Sequence, residues 1–424
     1  MSALAAVAPS QGCTAGAPTQ LGVVVVEAAG RPGHPSLPGS RVDIVRVECA
    51  GLPTLRAGVL IADPPAGTPR RGTVVLGTGA KGTAAFSSEP LGLPLVTSLL
   101  DAGFRIVDRA WQPGWFSSGG SVRKQSCRYA TLLQWVFDEH HDGGAFGAVG
   151  SSAGSSEVAY ALTTWNGADL LDVAVLLGGP PAARLDLQCP NPPAATWSAQ
   201  CLQLFPAHGF TCGPPTCTGQ GRQGLCTSCS APATPAELRD DSVLHLAARL
   251  DFPSTRVHQI LGGQDCTNAI PSALLFYAAV TSEKVTEVVP GTPHFVPGTT
   301  AGRDAIRRAL LGAAACRGVP ATMAHTGWPR LGGTLTFDLH GPPGAPFFVV
   351  EDGTAAELPV GSLGWLFVAP TFLPLGGGLL DAQTGRGCLS LTVPARPALT
   401  GSELYSQALV GRCLSNLVRF EVVP

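Results

Sequence analysis

The feature of this chain that most restricts its fold is the alternation, from residue 73 to residue 315, of apolar runs with helical periods. The runs TVVLG, FRIVD, AFGAVG, LDVAVLLGG, TRVHQILGG and KVTEVVPG have the length and composition of strands in a parallel sheet. Between two of them lies one apolar helix face, formed by Tyr129, Leu132, Leu133, Val136 and Phe137. Further helices are predicted over residues 91 to 102, from Pro271, and over residues 301 to 315. The alternation predicts an α/β fold with a mostly parallel, doubly wound sheet.

Both flanks of this region have a different pattern. Residues 21 to 62 contain three Val- and Ile-rich runs separated by Gly and Pro, which predict antiparallel strands. Beyond Gly318 the chain reads as short strands and turns without a helical period, typical of a sandwich-like domain. The predicted organisation is therefore an N-terminal segment (1–19), an α/β domain (20–317) and an all-β domain (318–424).

Composition excludes several classes of partner. Charged residues make up 13% of the chain, the formal net charge is −2, and like charges do not form blocks. Neither a nucleic acid nor an anionic membrane surface is expected to bind such a chain. No apolar run reaches the roughly 18 residues of a membrane span. No cofactor is expected.

The cysteines indicate an oxidising compartment. The chain has 13 of them, and many cysteines with close spacing are typical of secreted proteins. Ala6, Val7 and Ala8 resemble the end of a secretory signal, so the first 19 residues are read as a possible signal remnant. We expect the protein to be secreted, with Cys13 paired to Cys49 and Cys388 paired to Cys413.

A cysteine-rich insertion spans residues 180 to 254. Its cysteines are Cys189, Cys201, Cys212, Cys217, Cys226 and Cys229. The segment has little apolar periodicity, so disulfides are expected to hold its shape. The last four also have a spacing that admits a four-thiolate zinc site. Disulfides are favoured because Cys189 and Cys201 have no place in the zinc arrangement, and no metal is expected.

The pattern Gly-x-Ser-x-Gly occurs at Gly150, Ser152 and Gly154. In a chain with 53 glycines such a pattern can arise by chance, so its context decides whether it is functional. Here it joins a predicted buried strand to a predicted helix. A tight turn at that junction exposes the serine hydroxyl beyond the sheet, and the glycines avoid collision with neighbouring backbone. Ser152 is therefore the candidate nucleophile.

A serine nucleophile needs a histidine base that is held by a carboxylate. His294 follows the carboxyl end of a predicted strand, and Asp265 follows the preceding strand in the same way. Carboxyl ends of parallel strands share one edge of a sheet, so both side chains can reach Ser152. Asp251 and Asp304 are the alternative acids.

With these motifs, residues 20 to 316 resemble the α/β-hydrolase superfamily of serine hydrolases. The likeness rests on the elbow GSSAG, the acid loop GGQDC and the histidine loop GTPHF. It implies that the N–H of Ala153 is one oxyanion donor and that the loop after the third strand supplies the other. In that loop the family has His-Gly-x where this chain has Thr78 and Gly79, so Ala80 is the implied second donor. The family also inserts a lid where this chain has the cysteine-rich segment.

Aromatic residues suggest where substrate binds. Trp111, Trp115 and Phe116 follow a predicted strand and are candidates for a subsite, although packing within the loop explains them equally well. Trp365 is a lone aromatic in an apolar strand of the β domain, a setting that favours a place in the core.

Three functions are compatible with these residues. The first is a carboxylic-ester hydrolase of esterase, lipase or polyesterase type that forms an acyl-enzyme on Ser152, with a small or polymeric substrate. The second is a serine peptidase or amidase, and the third is a binding protein without activity. The complete triad favours an enzyme, and the lack of a propeller or helical domain beside the hydrolase region favours esters over peptides.

Overall fold

We describe the protein from a computed structural model. The structure describes residues 20–118, 120–189, 234–252, 254–265, 267, 269–281, 284–315, 321–326, 329–360, 363 and 365–424.

A nine-stranded sheet forms the centre of residues 20 to 315. Its strands are β1 Val23–Pro32, β2 Arg41–Glu48, β3 Leu55–Ala62, β4 Gly72–Gly77, β5 Phe104–Gln112, β6 Ala145–Ser151, β7 Val173–Leu177, β8 Arg256–Gly262 and β9 Lys284–Val289. They lie in the order β1-β2-β3-β5-β4-β6-β7-β8-β9. β1, β2 and β3 are antiparallel to their neighbours. The remaining six strands, β5, β4, β6, β7, β8 and β9, pair with one another in parallel. All parallel strands thus end at one edge.

Helices cover both faces of this sheet. They are α1 Leu93–Asp101, α2 Val122–Gln125, α3 Cys127–His140, α4 Ala153–Thr164, α5 Leu185–Gln188, α6 Pro235–Asp240, α7 Ala269–Ala279 and α8 Thr300–Ala315. One core contains Leu133 of α3, Val158 of α4 and Phe276 of α7. The other contains Leu99 of α1 and Ile306 of α8. A sheet buried on both faces explains why its parallel strands lack the polar alternation of an exposed sheet.

This architecture confirms the predicted fold class. The strand order, with one antiparallel edge and helices on both faces, is that of the α/β-hydrolase fold. The strands predicted at residues 21 to 62 are antiparallel, as expected. The helix predicted from Pro271 begins two residues earlier, at Ala269, because proline fits the first turn of a helix.

Residues 321 to 424 form antiparallel sheets. Their strands are β10 Thr322–Thr326, β11 Thr334–His340, β12 Pro346–Asp352, β13 Ala355–Pro359, β14 Trp365–Val368, β15 Leu373–Leu379, β16 Arg386–Thr392, β17 Glu403–Val410, β18 Cys413–Leu414 and β19 Val418–Glu421. One core of this region contains Phe337, Val349 and Ala408. The predicted all-β character is confirmed.

Strand β14 connects this region to the α/β domain. Phe367 is 1% exposed and belongs to the same core as α1 and α8. Trp365 packs against that core, and the Arg71 guanidinium lies 5.1 Å from its ring centre. Trp365 is therefore a packing residue, as its apolar strand predicted.

Two predicted disulfides are wrong. Cys49 is bonded to Cys127, with 6.4 Å between their Cα atoms, because the residue after β2 lies beside the start of α3. Cys13, its predicted partner, lies outside the described residues. Cys388 is an exposed free thiol on β16, which pairs with β11, whereas Cys413 lies on β18, which pairs with β17. The two strands thus belong to different sheets.

Only Cys189 of the cysteine-rich insertion lies within the described residues, and it is disulfide-bonded. The other five cysteines predicted to cross-link this segment, and the residues of the zinc alternative, lie outside them: Cys201, Cys212, Cys217, Cys226 and Cys229. The predicted signal remnant also lies outside. In the described ranges, no helix has both the length and the apolar character needed to cross a membrane.

Candidate active site

Ser152 lies in a strained turn between β6 and α4. Its φ and ψ angles are 51° and −122°, a conformation that residues other than glycine rarely adopt. Its backbone N–H donates to the Leu177 carbonyl at 2.7 Å. A Cβ on Gly150 would lie 2.3 Å from the Gly154 oxygen, and one on Gly154 would lie 2.5 Å from the Thr78 oxygen. The two glycines are thus required by close backbone approach, for the reason that the sequence suggested.

Asp265 and His294 form a hydrogen-bonded pair at the same edge. Asp265 follows β8 and His294 follows β9, and their Oδ2 and Nδ1 atoms are 2.6 Å apart. The other oxygen of Asp265 accepts from the Thr267 N–H at 2.9 Å. The Asp265 side chain is fully buried, whereas that of His294 is 34% exposed. A buried carboxylate thus orients an imidazole that solvent can reach, and Asp265, not Asp251 or Asp304, is the acid in place.

The loop after β7 lies between this pair and Ser152. A Cβ on Gly178 would lie 3.1 Å from His294 Nδ1, and one on Gly179 would lie 3.0 Å from the Ser152 carbonyl oxygen. Because the two glycines are adjacent, Ser152 and His294 lie beside neighbouring residues of one loop. The structure therefore places the three predicted residues at the same carboxyl edge of the sheet.

The loop after β4 lies directly against Ser152. A Cβ on Gly79 would lie 2.8 Å from the Ser152 Cβ. Ala80 follows with a φ of 49°, and the Thr78 hydroxyl donates to the Ala84 carbonyl at 2.5 Å, which fixes the loop. Ala153 is the first residue of α4, so its N–H has no acceptor in the helix. Of the two predicted oxyanion donors, Ala153 thus follows Ser152 directly in the chain, and Ala80 follows the glycine that lies against Ser152.

An open cavity of about 510 Å³ adjoins this loop. It is lined by Thr78, Gly79, Ala80, Thr83, Ala84, Glu89, Pro90, Leu91 and Phe295. Most of these residues are small or apolar, and Glu89 is the one charged residue among them. Phe295 was missed by the sequence analysis, although its position next to His294 in GTPHF was a usable signal.

The aromatic subsite predicted after β5 is not at the site. Trp111 and Trp115 are completely buried and Phe116 is 6% exposed, and all three belong to the core under α3 and α4. Trp111 Nε1 donates to Glu157 Oε1 at 2.7 Å, which fixes its ring inside the protein. The prediction is wrong because a loop's position in sequence does not reveal whether its side chains point inward.

A buried ion pair near the site was also missed. Arg109 on β5 contacts Glu157 on α4, and neither side chain has any exposed surface. Arg109 Nη1 donates to the Gly82 carbonyl at 3.1 Å, and Nη2 lies 3.5 Å from the Thr78 carbonyl oxygen. Burial lowers the pKa of Arg109 to about 10, which still leaves the guanidinium charged at neutral pH. The available signal was that the predicted buried strand FRIVDRA contains charged residues, Arg109 among them.

Within the described part of the chain, no group of three or more His, Cys, Asp or Glu side chains is placed to hold a metal ion.

No protein-family model matches the chain, and no curated protein matches its sequence. Solved structures are similar to it at low identity. An esterase from Pyrococcus furiosus is 14% identical over 66% of this chain and 90% of its own, with a TM-score of 0.35. A Pyrobaculum calidifontis esterase is 17% identical over 67% and 86%, with a TM-score of 0.42. An acylaminoacyl peptidase from Pyrococcus horikoshii is 12% identical over 65% and 41%, with a TM-score of 0.37. These values leave the function to be inferred from the site itself.

Proposed function

We propose that the protein is a serine hydrolase that cleaves carboxylic esters through an acyl-enzyme on Ser152. The observation that carries this proposal is the Asp265 to His294 hydrogen bond at the strand edge where Ser152 occupies its strained turn. A nucleophile, an orienting acid and a base, in this order along the chain, are the parts that acyl transfer needs.

The roles follow from the contacts. Asp265 accepts a hydrogen bond from Nδ1 of His294, which leaves Nε2 free to take the proton of the Ser152 hydroxyl. The serine oxygen attacks the ester carbonyl, and the Ala153 and Ala80 N–H groups stabilise the resulting oxyanion. Collapse expels the alcohol, which receives the proton from His294. Water then attacks the acyl-enzyme by the same route and releases the acid.

The cavity beside the loop after β4 is the proposed binding site for one part of the ester. Its lining is largely apolar and its volume falls within the range of small-molecule pockets. Esters of short or medium chain length fit this description. A series of p-nitrophenyl esters of rising chain length locates the length at which kcat/KM begins to fall.

The decisive experiment replaces the nucleophile. Ser152→Ala removes the attacking oxygen from a turn and leaves the core intact, so we expect ester hydrolysis to fall by about 10⁴-fold or more. Ser151→Ala is the matched control, because Ser151 is the adjacent residue, is 2% exposed and has no role in the proposed reaction. A fluorophosphonate probe should label the wild type and the Ser151 variant at Ser152, but not Ser152→Ala.

Retention of more than a few per cent of activity in folded Ser152→Ala would refute the proposal. Faster cleavage of peptide anilides than of matched esters would instead assign the site to a peptidase or amidase.

We also propose that the protein works outside the cytoplasm. The bond between Cys49 and Cys127 and the bonded state of Cys189 support this, since structural disulfides persist in oxidising compartments. Fractionation of the source cells, with Ser152 labelling as the readout, tests this location.

A further inference from the structure

The ion pair of Arg109 and Glu157 connects helix α4 to the loop after β4, and the proposed reaction needs these two elements in fixed relative positions. Glu157 lies on α4, five residues after Ser152, and the same helix supplies the Ala153 N–H. Arg109 contacts the backbone of the loop that contains Ala80, through the carbonyls of Thr78 and Gly82. The pair therefore spans both sources of oxyanion donors.

The loop closes tightly around the guanidinium. A Cβ on Gly77 would lie 2.5 Å from Arg109 Nη2, and one on Gly82 would lie 2.3 Å from Nη1. The backbone N–H of Trp111 also donates to the Gly82 carbonyl, at 2.8 Å. Glycine at both ends of the loop is thus matched to an arginine head group, and the loop cannot shift without losing these contacts.

Glu157 is held as firmly as its partner. Its carboxylate contacts the guanidinium through Oε2 and accepts from Trp111 Nε1 through Oε1 at 2.7 Å. Both side chains are completely buried, so water does not compete for these hydrogen bonds. Such a pair gives little net stability, because removing both charges from water offsets most of their attraction. The pair is therefore better explained by the positions of the backbone that it fixes than by the stability that it adds.

We propose that Arg109 is a positioning residue that, anchored by Glu157, sets the distance between the Ala80 and Ala153 N–H groups and so shapes the oxyanion hole. This inference rests on the proposed function. Because oxyanion donors act on the charge that develops during the reaction, loosening them lowers kcat and leaves substrate binding largely unchanged.

Two variants test the role. Arg109→Lys keeps the charge but loses the planar fork that reaches two carbonyls. The double variant Arg109→Met with Glu157→Gln removes both charges of the pair, retains an acceptor for Trp111, and leaves neither partner's charge buried without the other. The double variant is therefore expected to fold, even if Arg109→Lys does not.

For the double variant we expect a melting temperature close to that of the wild type. With p-nitrophenyl butyrate, kcat should fall about 10- to 100-fold while KM stays within about threefold. The inhibition constant of butylboronic acid, which forms a tetrahedral adduct on serine, should rise by the same factor as kcat falls. Arg256→Lys is the matched control for Arg109→Lys. Arg256, at the start of β8 and far from the loop, is also buried, and its guanidinium donates to the Ala321 carbonyl.

Three results would overturn the positioning role. They are a kcat within about threefold of the wild type, a lower kcat with unchanged inhibition by the boronic acid, and failure of the double variant to fold. Labelling of wild-type Ser152 by a fluorophosphonate is measured alongside. Its absence would show that the proposed function itself is wrong, whereas normal labelling with an unaffected double variant would contradict the role of Arg109 alone.

Discussion

Two pairs of a carboxylate and a basic side chain lie at the same edge of the sheet and differ in their access to water. Asp265 is buried but its partner His294 is 34% exposed, whereas Arg109 and Glu157 have no exposed surface. A base that exchanges protons with a substrate must be reachable, and a pair that only holds backbone in place is stronger when water is excluded. Exposure, more than residue type, therefore separates the pair expected to react from the pair expected to position.

The largest effect should come from breaking the reactive pair. Asp265→Asn keeps the shape of the side chain but presents an amide to His294, which favours the wrong tautomer. We expect kcat to fall about 10³- to 10⁴-fold, measured with p-nitrophenyl butyrate.

Asp251→Asn is the control for that variant, since Asp251 is exposed and was one of the two alternative acids. Equal losses in the two variants would show that Asp265 has no special role. A loss below tenfold in Asp265→Asn would mean that the observed hydrogen bond does not orient the base.

Asp241 extends the comparison to a buried carboxylate whose pKa is shifted by burial. Its carboxylate is fully buried and accepts hydrogen bonds from the Ser121 hydroxyl and the N–H groups of Val122 and Arg123. Burial nevertheless raises its pKa from 3.8 to about 6. Because the folded pKa is the higher one, folding favours the protonated acid. This contribution is fully present below about pH 3.8 and is lost as the pH rises to about 6.

Between pH 4 and pH 7, this loss should change the free energy of unfolding by about 2 kcal/mol. It is measured as the wild-type value minus the Asp241→Asn value from urea unfolding, at pH 4 and at pH 7. That difference should be smaller at pH 7. Asp101→Asn, at the exposed end of α1, is the matched control. An unchanged or larger difference at pH 7 would contradict the raised pKa.

The smallest effect is expected at Glu89, the charged residue in the cavity lining. A half-buried carboxylate attracts a cationic substrate only weakly in water. Glu89→Gln should therefore lower the ratio of kcat/KM for butyrylcholine to that for 3,3-dimethylbutyl butyrate by about two- to fivefold. Glu139→Gln, at an exposed position of α3, is the control. An unchanged ratio would mean that the cationic group binds elsewhere.

The fold could be predicted because its signal is repeated along the chain. Each parallel strand is an apolar run and each helix has one apolar face, so an error in one element leaves the alternation intact. The positions of Ser152, Asp265 and His294 follow from the same order, because every one of them comes just after a parallel strand. Their catalytic roles stay predictions.

Features that depend on side-chain direction or distant pairing could not be predicted. Nothing in the sequence shows that Trp111 points into the core, or that Arg109 meets a glutamate 48 residues away. The partner of Cys49 is likewise fixed by the packing of α3 against β2, which sequence spacing does not encode.

Phe367 has a consequence for how the protein is made. The other buried residues of the core that it shares with α1 and α8 all precede residue 316. A ribosome adds residues in order, so the helices of this core are synthesised before the phenyl ring that fills it. We expect nascent chains arrested before residue 367 to bind chaperones and to be cleaved by proteases, and chains arrested well beyond residue 368 to resist both.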